Sequence, residues 1–449
     1  MDPIIAKHAS RRVPRYTSYP TAPHFAEGFA ESTWRDWLAE TPSDAPLSLY
    51  LHIPFCKKVC WYCGCNMKLA AREQPVRDYA AVLCREIDLL AEALGEARRV
   101  EHIHFGGGTP TAMPVDSFKA VVAALRAAYD VRDGAEVAVE IDPRTLEPEM
   151  AWALGEMGFT RASLGVQEFD ATVQATINRV QPFSMVERTV LDLRRSGVAA
   201  INFDLMYGLP HQTVESITAT VERAVDLRPS RIALFGYAHV PWMAKNQRMI
   251  PEDSLPGMEE RFEQAEHAAN LLVSHGYERI GLDHFALPSD PMIGALRAGR
   301  LRRNFQGYTD DQSEHLLGLG ATSISQVPQG YIQNTAETGA WARAVERGEL
   351  PVHRGRALRG DDVLRRAVIE RLMCDLEVDL LATAFAHGEA PGYFSAEIGA
   401  LAPFVEDGLV EVDDGVVRIA ERGRPAMRTV AAVFDAYLGE GTARHAVAV

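Results

Sequence analysis

Between Leu47 and about Ala238, short apolar or β-branched runs alternate with amphipathic helical stretches, and no other property restricts the fold of this chain so severely. Parallel strands require crossover connections, and the intervening helices supply them. The spacing predicts strands at 47–53, 100–105, 136–141, 161–166, 200–206 and 231–237. Helices are predicted between them, among others at 78–97, 115–129 and 213–227. Runs rich in Val, Ile and Leu are suited to burial on both faces of a sheet. The pattern becomes irregular after Pro241, so six βα units fit better than eight, and a partial (βα)6, TIM-like barrel of the α/β class is expected.

The first predicted strand runs into His52-Ile-Pro-Phe-Cys-Lys-Lys-Val-Cys-Trp-Tyr-Cys-Gly-Cys65. Six cysteines occur in 449 residues, and this loop holds Cys56, Cys60, Cys63 and Cys65, a distribution unlike a disulfide framework. Three thiolates at C-x3-C-x2-C can hold three irons of a four-iron, four-sulfur (4Fe-4S) cluster. The fourth iron is then open to an amine and a carboxylate from a small molecule such as S-adenosylmethionine. A zinc knuckle with Cys65 as fourth thiolate is the alternative, although no second C-x2-C unit follows. Cys84 and Cys374 fall in helical stretches and are expected to be buried and inert.

Polar residues recur where these strands end, which is where a parallel α/β fold builds its sites. The cysteine loop follows the first strand and Gly106-Gly-Gly-Thr-Pro-Thr111 the second. Glu140 and Asp142 close the third, Gln167 and Glu168 follow the fourth, and Asp204 ends the fifth. The glycine run is neither a P-loop nor a dinucleotide fingerprint. Next to a cluster loop it reads as a cradle for a methionyl amine and carboxylate.

The formal net charge of −15 argues against nonspecific nucleic-acid binding. No apolar run approaches a membrane span, and the first residues lack a secretory pattern, so a cytoplasmic protein without membrane contact is expected. Local charge differs from the total. Lys7, Arg11, Arg12 and Arg15 make a basic amino-terminal arm, and Arg297, Arg300, Arg302 and Arg303 lead into Asn304-Phe-Gln-Gly-Tyr308. Both segments could clamp an anionic ligand, or each could be a solvated surface. Beyond residue 361 helical stretches precede a two-stranded turn at 409–419, an order similar to a winged helix. Acid-rich 406–414 favours a lid or packing domain over DNA binding. Three segments are therefore expected: an arm (1–45), the barrel with its extension (46–360) and a helical, winged-helix-like lid (361–449).

The cysteine loop, Gly106 to Thr111 and the order of strand-end polar residues resemble radical S-adenosylmethionine enzymes. Further segments narrow the likeness: Pro14-Arg-Tyr-Thr-Ser-Tyr-Pro-Thr-Ala22, Cys63-Gly-Cys-Asn66, Tyr237-Ala-His239, Gly281-Leu-Asp-His-Phe285 and Asn304-Phe-Gln-Gly-Tyr308. Together they resemble the oxygen-independent coproporphyrinogen III oxidases, also called coproporphyrinogen dehydrogenases, over essentially the whole chain.

That resemblance implies conversion of two propionates of coproporphyrinogen III to vinyl groups, giving protoporphyrinogen IX. It implies a 4Fe-4S cluster on Cys56, Cys60 and Cys63, and a 5′-deoxyadenosyl radical that removes hydrogen from the propionate β-carbon. Tyr50, Gly107, Glu140 and Ile324 would contact a first S-adenosylmethionine. Tyr62, Gly108, Thr109, Gln167, Arg179, Asp204 and Ala238 would contact a second. Phe305 and Gln306 would lie near the reaction centre. Coproporphyrinogen is a tetracarboxylate, which suits the two basic segments. An external electron donor of the flavodoxin or ferredoxin kind and a monomeric state complete the expectation. Some radical S-adenosylmethionine relatives are haem-binding chaperones. The Tyr16-Thr-Ser-Tyr-Pro20 arm, and the lack of a His-Asn-x-x-Tyr-Trp string, favour the enzyme.

Overall fold

The computed structural model describes residues 2–9 and 11–439. Its contacts divide the chain into two compact units, Ala26–Pro256 with Ser313–Ala357, and Met1–Phe25 with Gly257–Gln312 and Leu358–Val449.

The first unit is built on parallel strands β1 (Leu47–Ile53), β2 (Arg99–Gly107), β3 (Asp130–Ile141), β4 (Arg161–Gln167), β5 (Ala200–Tyr207) and β6 (Arg231–Gly236). They pair in chain order, β1 with β2 through to β5 with β6, all parallel. The crossovers include helices α1 (Gln74–Leu94), α2 (Val115–Ala128), α3 (Pro148–Glu156), α4 (Phe183–Ser196) and α5 (Val214–Asp226). The six-unit partial barrel is therefore present. Leu47, Leu49, Leu51 and Ile53 on β1 are at most 1% exposed. Side chains of this kind stabilise the fold by roughly 1.5–3 kcal/mol each when fully buried.

A further parallel strand, β7 (His315–Leu319), lies on the free side of β1, with Gly318 opposite Tyr50. An antiparallel meander follows through β8 (Ile324–Val327), β9 (Gly330–Asn334) and β10 (Val352–Ala357). Helix α6 (Thr338–Glu346) precedes β10 and packs on α1. The register of β7 on β1 places residues some 270 positions apart side by side, which no local periodicity announces.

The second unit joins the amino-terminal arm to the carboxy-terminal residues. Helix Pro3–Ala9, Val13, Tyr16 and Tyr19 share a core with helix α7 (Asp362–Asp375) and with Phe394, Phe404, Met427 and Phe434. Buried Arg428 donates to the carbonyls of Pro14 and Val13. Tyr16 donates to Asp435 at 3.0 Å. Strands Glu377–Asp379, Val416–Ile419 and Val410–Asp413 form an antiparallel sheet, adding a third strand to the expected turn. Of the arm 1–45, residues 1–25 belong to this unit and 26–45 to the barrel unit. Residues 257–312, within the segment 46–360, also belong here. Cys374 is buried, as expected. Cys84 is only half-buried: its position on α1 falls between the buried Leu83 and Ile87 face and solvent.

Glu86 ties the barrel unit together beneath β7. Its carboxylate accepts from Gly320 N–H (2.6 Å), Asn334 Nδ2 (2.7 Å) and Trp341 Nε1 (3.1 Å). Burial pushes its pKa up to about 7, against the pull of those three donors. An acid whose folded pKa is raised contributes stability that is complete below its unfolded value near 4.5 and is lost as pH rises to about 7. The expected loss is roughly 3 kcal/mol. Anaerobic denaturant titrations from pH 4.5 to 7.5 should therefore show a steeper decline for the natural protein than for Glu86→Gln. Parallel pH profiles would remove Glu86 as the source.

Candidate functional site

At the carboxyl end of β1 the chain leaves the sheet at Pro54 and folds the cysteine loop against the end of β2. The Gly108 N–H donates to the Ile53 carbonyl at 2.9 Å, and the Thr109 N–H to that of Phe55 at 2.7 Å. So close an approach needs a glycine, because a Cβ at Gly108 would come within 2.7 Å of the Phe55 oxygen. Gly107 adopts φ +109°, and its N–H donates to Glu140 at 3.0 Å. The expected cradle thus consists of a glycine run locked to the loop on one side and to β3 on the other.

Three polar side chains fasten the loop from outside the motif. Asn246 Nδ2 donates to the carbonyls of Cys60 (3.0 Å), Trp61 (3.2 Å) and Cys63 (2.8 Å). Gln247 Nε2 donates to Tyr62 at 2.7 Å and to Ala238 at 3.2 Å. Asn178 Nδ2 donates to Val59 at 2.8 Å. Tyr62 packs beside Val173, Ile177 and Tyr237.

The thiols differ in their surroundings. Cys60 is buried and accepts from two guanidiniums, Arg144 Nη2 at 3.0 Å and Arg179 Nη1 at 3.1 Å. Cys56 accepts from Thr109 Oγ1 at 3.5 Å, and burial pushes its thiol up to about 11. Hydrogen bonding from Cys65 lowers Cys63 to about 7, and Cys65 itself is exposed. Among the described residues no three His, Cys, Asp or Glu side chains converge on a single ion. Three thiols on one loop, each with its own surroundings, suit a cuboid cluster that takes one thiolate per iron. Donors to the Cys60 sulfur would raise the cluster's reduction potential by stabilising added negative charge.

Carboxylates and rings line the neighbouring strand ends. Tyr50 stacks on His104, with ring centroids 5.9 Å apart, and lies 3.1 Å from His52 Nδ1. His104 lies 3.2 Å from Glu140. Burial alone would raise Glu140, but the His104 hydrogen bond and charge and the Gly107 N–H outweigh it and hold the group below the usual range. Burial, reinforced by Glu140, pushes Asp204 up to about 7, and Ser163 lies 3.4 Å from it. Gln167 sits at a bulge of β4 with φ +64°, a conformation that costs a non-glycine residue free energy. Ile324 begins β8, its carbonyl against Gly318, the residue paired with Tyr50. Arg179 also donates to the Gly165 carbonyl at 2.5 Å, while its buried Nε has no partner among the described residues.

Cys56, Cys60, Cys63, Tyr50, Tyr62, Gly107, Gly108, Thr109, Glu140, Gln167, Arg179, Asp204, Ala238 and Ile324 all belong to the barrel unit, most of them on strand ends or connecting loops, with Tyr50 and Asp204 midway along β1 and β5. Phe305 and Gln306 belong to the other unit, at the tip of hairpin Arg302–Asn304/Gly307–Thr309. There Phe305 meets Phe25 edge-on. Glu168 serves the fold: its carboxylate is fully buried and accepts from Phe169 N–H, Asp170 N–H and Gln212 Nε2. Arg144, Asn246, Gln247 and Asn178 were not singled out in the sequence. Arg144 could have been, since it follows Asp142 at a strand end and its guanidinium pairs with that carboxylate at 2.6 Å.

A family model described as the radical SAM superfamily matches residues 50–224. An oxygen-independent coproporphyrinogen III oxidase of Bradyrhizobium diazoefficiens is 48% identical over 446 residues, 99% of each chain. One of Paracoccus denitrificans is 46% identical, covering 95% of this chain and 94% of that one. The solved structure of Escherichia coli coproporphyrinogen III oxidase (HemN), described as a radical SAM enzyme, superposes with a TM-score of 0.90 at 36% identity. It covers 95% of this chain and 100% of that one.

Asn246→Ala removes one amide NH2, two N–H donors shared among the three loop carbonyls of Cys60, Trp61 and Cys63, each hydrogen bond contributing about 1 kcal/mol. Iron released to a chelator should leave this variant roughly tenfold faster than the natural protein, with all cysteines intact. Equal release rates would show that Asn246 does not brace the loop.

Proposed function

Because the chain belongs to the oxygen-independent coproporphyrinogen III oxidase family of radical S-adenosylmethionine enzymes, we propose that its strand-end site carries out that family's reaction. The chain is an oxidoreductase that converts two propionates of coproporphyrinogen III to vinyl groups without oxygen. The observation that carries this is likeness over the full length, arm and Asn304 segment included, on a chain in which Cys56, Cys60 and Cys63 are free thiols.

When bound, the 4Fe-4S cluster supplies the electron that splits S-adenosylmethionine into methionine and a 5′-deoxyadenosyl radical. The chain's own residues hold and orient. Cys56, Cys60 and Cys63 would ligate the cluster. Tyr50, Gly107, Glu140 and Ile324 would seat the first S-adenosylmethionine, with Glu140, ionised at neutral pH, placed to receive its ammonium. Tyr62, Gly108, Thr109, Gln167, Arg179, Asp204 and Ala238 are proposed for a second molecule. The orphaned Arg179 Nε supports an acceptor there. Phe305 and Gln306 are proposed to lie near the reaction centre. The three-part reading of the chain, with residues 1–45 binding substrate and 361–449 as a lid, is kept as a proposal, as is a monomeric protein drawing electrons from a flavodoxin or ferredoxin. No helix among the described residues is long and apolar enough to cross a membrane.

Substrate carboxylates need cationic partners, and Arg303 is a suitable one. Its guanidinium lies 4.4 Å over the Tyr308 ring, near Asp283 and Arg15, and its Nε and Nη1 are buried without partners among the described residues. Unpaired buried donors are costly, and a propionate would satisfy them. Arg297 and Lys7, by contrast, already pair with Glu278 (2.6 Å) and Asp407 (2.7 Å).

An anaerobic assay with reductant, S-adenosylmethionine and coproporphyrinogen III should yield protoporphyrinogen and 5′-deoxyadenosine. Haem binding without turnover, in protein with an intact cluster, would favour the chaperone reading instead. Cys60→Ser should lose both cluster and turnover; retained activity would refute the ligand assignment. Arg303→Gln should raise the KM for coproporphyrinogen about tenfold at unchanged iron content. An unchanged KM would exclude Arg303 from carboxylate binding.

A further inference from the structure

A reaction that consumes an electron needs an entry for it, and the rear of the cysteine loop has the form of one. Lys68–Leu69 pairs in parallel with Phe55–Cys56. The Lys68 N–H donates to Pro54 and the Ala70 N–H to Cys56. Beside this strip lies an open groove of about 620 Å³, lined by Phe55, Lys68, Leu69, Arg72, Tyr79 and Trp341 among others. Its inner wall is a chain of rings. Phe55 meets Tyr79 edge-on at 5.3 Å, and Tyr79 stacks on Trp341 at 4.4 Å. Phe55 is joined by one peptide bond to Cys56, so this wall ends at a proposed cluster ligand. Electron tunnelling falls steeply with distance, and a donor seated here lies against Phe55, the residue next to Cys56.

The groove's charge and polarity indicate its occupant. Residues 54–72 carry Lys57, Lys58, Lys68 and Arg72 and no carboxylate, in a chain with 61 acidic and 46 basic residues. Lys57, Lys58 and Arg72 are exposed and unpaired among the described residues, and Lys68 stands 3.6 Å from Glu337. Of the acidic lining residues, Asp78 accepts from Gln74 at 2.7 Å, and Glu346 faces the groove from α6. Leu69 is 57% exposed, an apolar lining residue next to Lys68 and three positions before Arg72. Cationic borders steer acidic partners and discriminate among them.

We propose that this groove docks an acidic flavin-carrying electron-transfer protein, with the apolar edge of the flavin ring directed at Leu69 and the carrier's carboxylates on Lys68 and Arg72 of its lining, the exposed Lys57 and Lys58 adding to the positive charge of the same loop. The inference rests on the reading that the loop holds the cluster. The transfer balances without protons or bond changes: the reduced flavin gives up one electron and the oxidised cluster gains it. A carrier with an iron–sulfur centre has no such ring edge, so Leu69 argues for the flavin class.

The test uses the full-length protein with its cluster reconstituted anaerobically, natural and Lys68→Glu/Arg72→Glu, with flavodoxin, ferredoxin and dithionite as probes. Calorimetric titration with oxidised flavodoxin at low salt should show affinity at least about tenfold weaker for the variant. Cluster bleaching by reduced flavodoxin should slow by a similar factor. Bleaching by dithionite should be unchanged, which shows that cluster and fold are intact. Salt should slow flavodoxin-driven reduction of the natural protein far more than that of the variant. Leu69→Asp should weaken flavodoxin binding further. Equal flavodoxin affinity in natural protein and variant would overturn the proposal and leave the groove to a small apolar ligand. Tight, charge-dependent binding of ferredoxin but not flavodoxin would overturn the flavin assignment. No cluster to bleach in the natural protein would remove the underlying reading as well.

Discussion

Two backbone hydrogen bonds, Gly108 N–H to Ile53 and Thr109 N–H to Phe55, hold the cysteine loop against the end of the second strand, and the site is built outward from that contact. It requires that no side chain intervene, which Gly108 ensures. It also requires that β1 and β2 end in step, which their register provides by setting Ile53 beside Gly107. Once the loop is pinned, Cys56 falls under Thr109 and Glu140 falls on the Gly107 N–H. The parallel sheet is a positioning device: buried aliphatic strands supply rigidity, and the polar chemistry is confined to their carboxyl ends.

Electrostatics completes the arrangement. Three thiolates and three nearby carboxylates, Glu140, Asp142 and Asp204, would repel one another if all were ionised and unpaired. Arg144 and Arg179 counter this from the Cys60 side, sharing Asp142 between them. Asp204, pushed up to about 7 by burial and by Glu140, is partly protonated at neutral pH and can donate where Glu140 accepts. The two acids thereby differ in charge state, as often happens where burial and like charge act together.

What the sequence discloses here is what depends on short-range order. The six parallel strands and their ends were readable because Leu47 to Ile53 and its counterparts are compact apolar runs, and the cysteine loop because its ligands lie within eight residues. What escaped depends on contacts between distant segments. Strand β7 joins β1 through a register across some 270 residues, and the meander behind it lies in the stretch whose pattern had turned irregular. Asn246 and Asn178 look like ordinary loop amides until the fold carries them to the carbonyls of Cys60 and Val59. Glu168 errs in the other direction: it stands at a strand end like a site residue, yet every oxygen is spent on backbone and neighbouring side chains.

Cys56, Cys60 and Cys63 are proposed to leave one iron of a cuboid cluster without a protein ligand. Mössbauer spectroscopy of anaerobically reconstituted, iron-57-labelled protein, with and without S-adenosylmethionine, addresses this directly. The expected result is a 4Fe-4S centre in which one iron site alone changes its isomer shift and quadrupole splitting when S-adenosylmethionine is added. A protein that binds no iron–sulfur centre, or a cluster whose four irons are all indifferent to the additive, would contradict it.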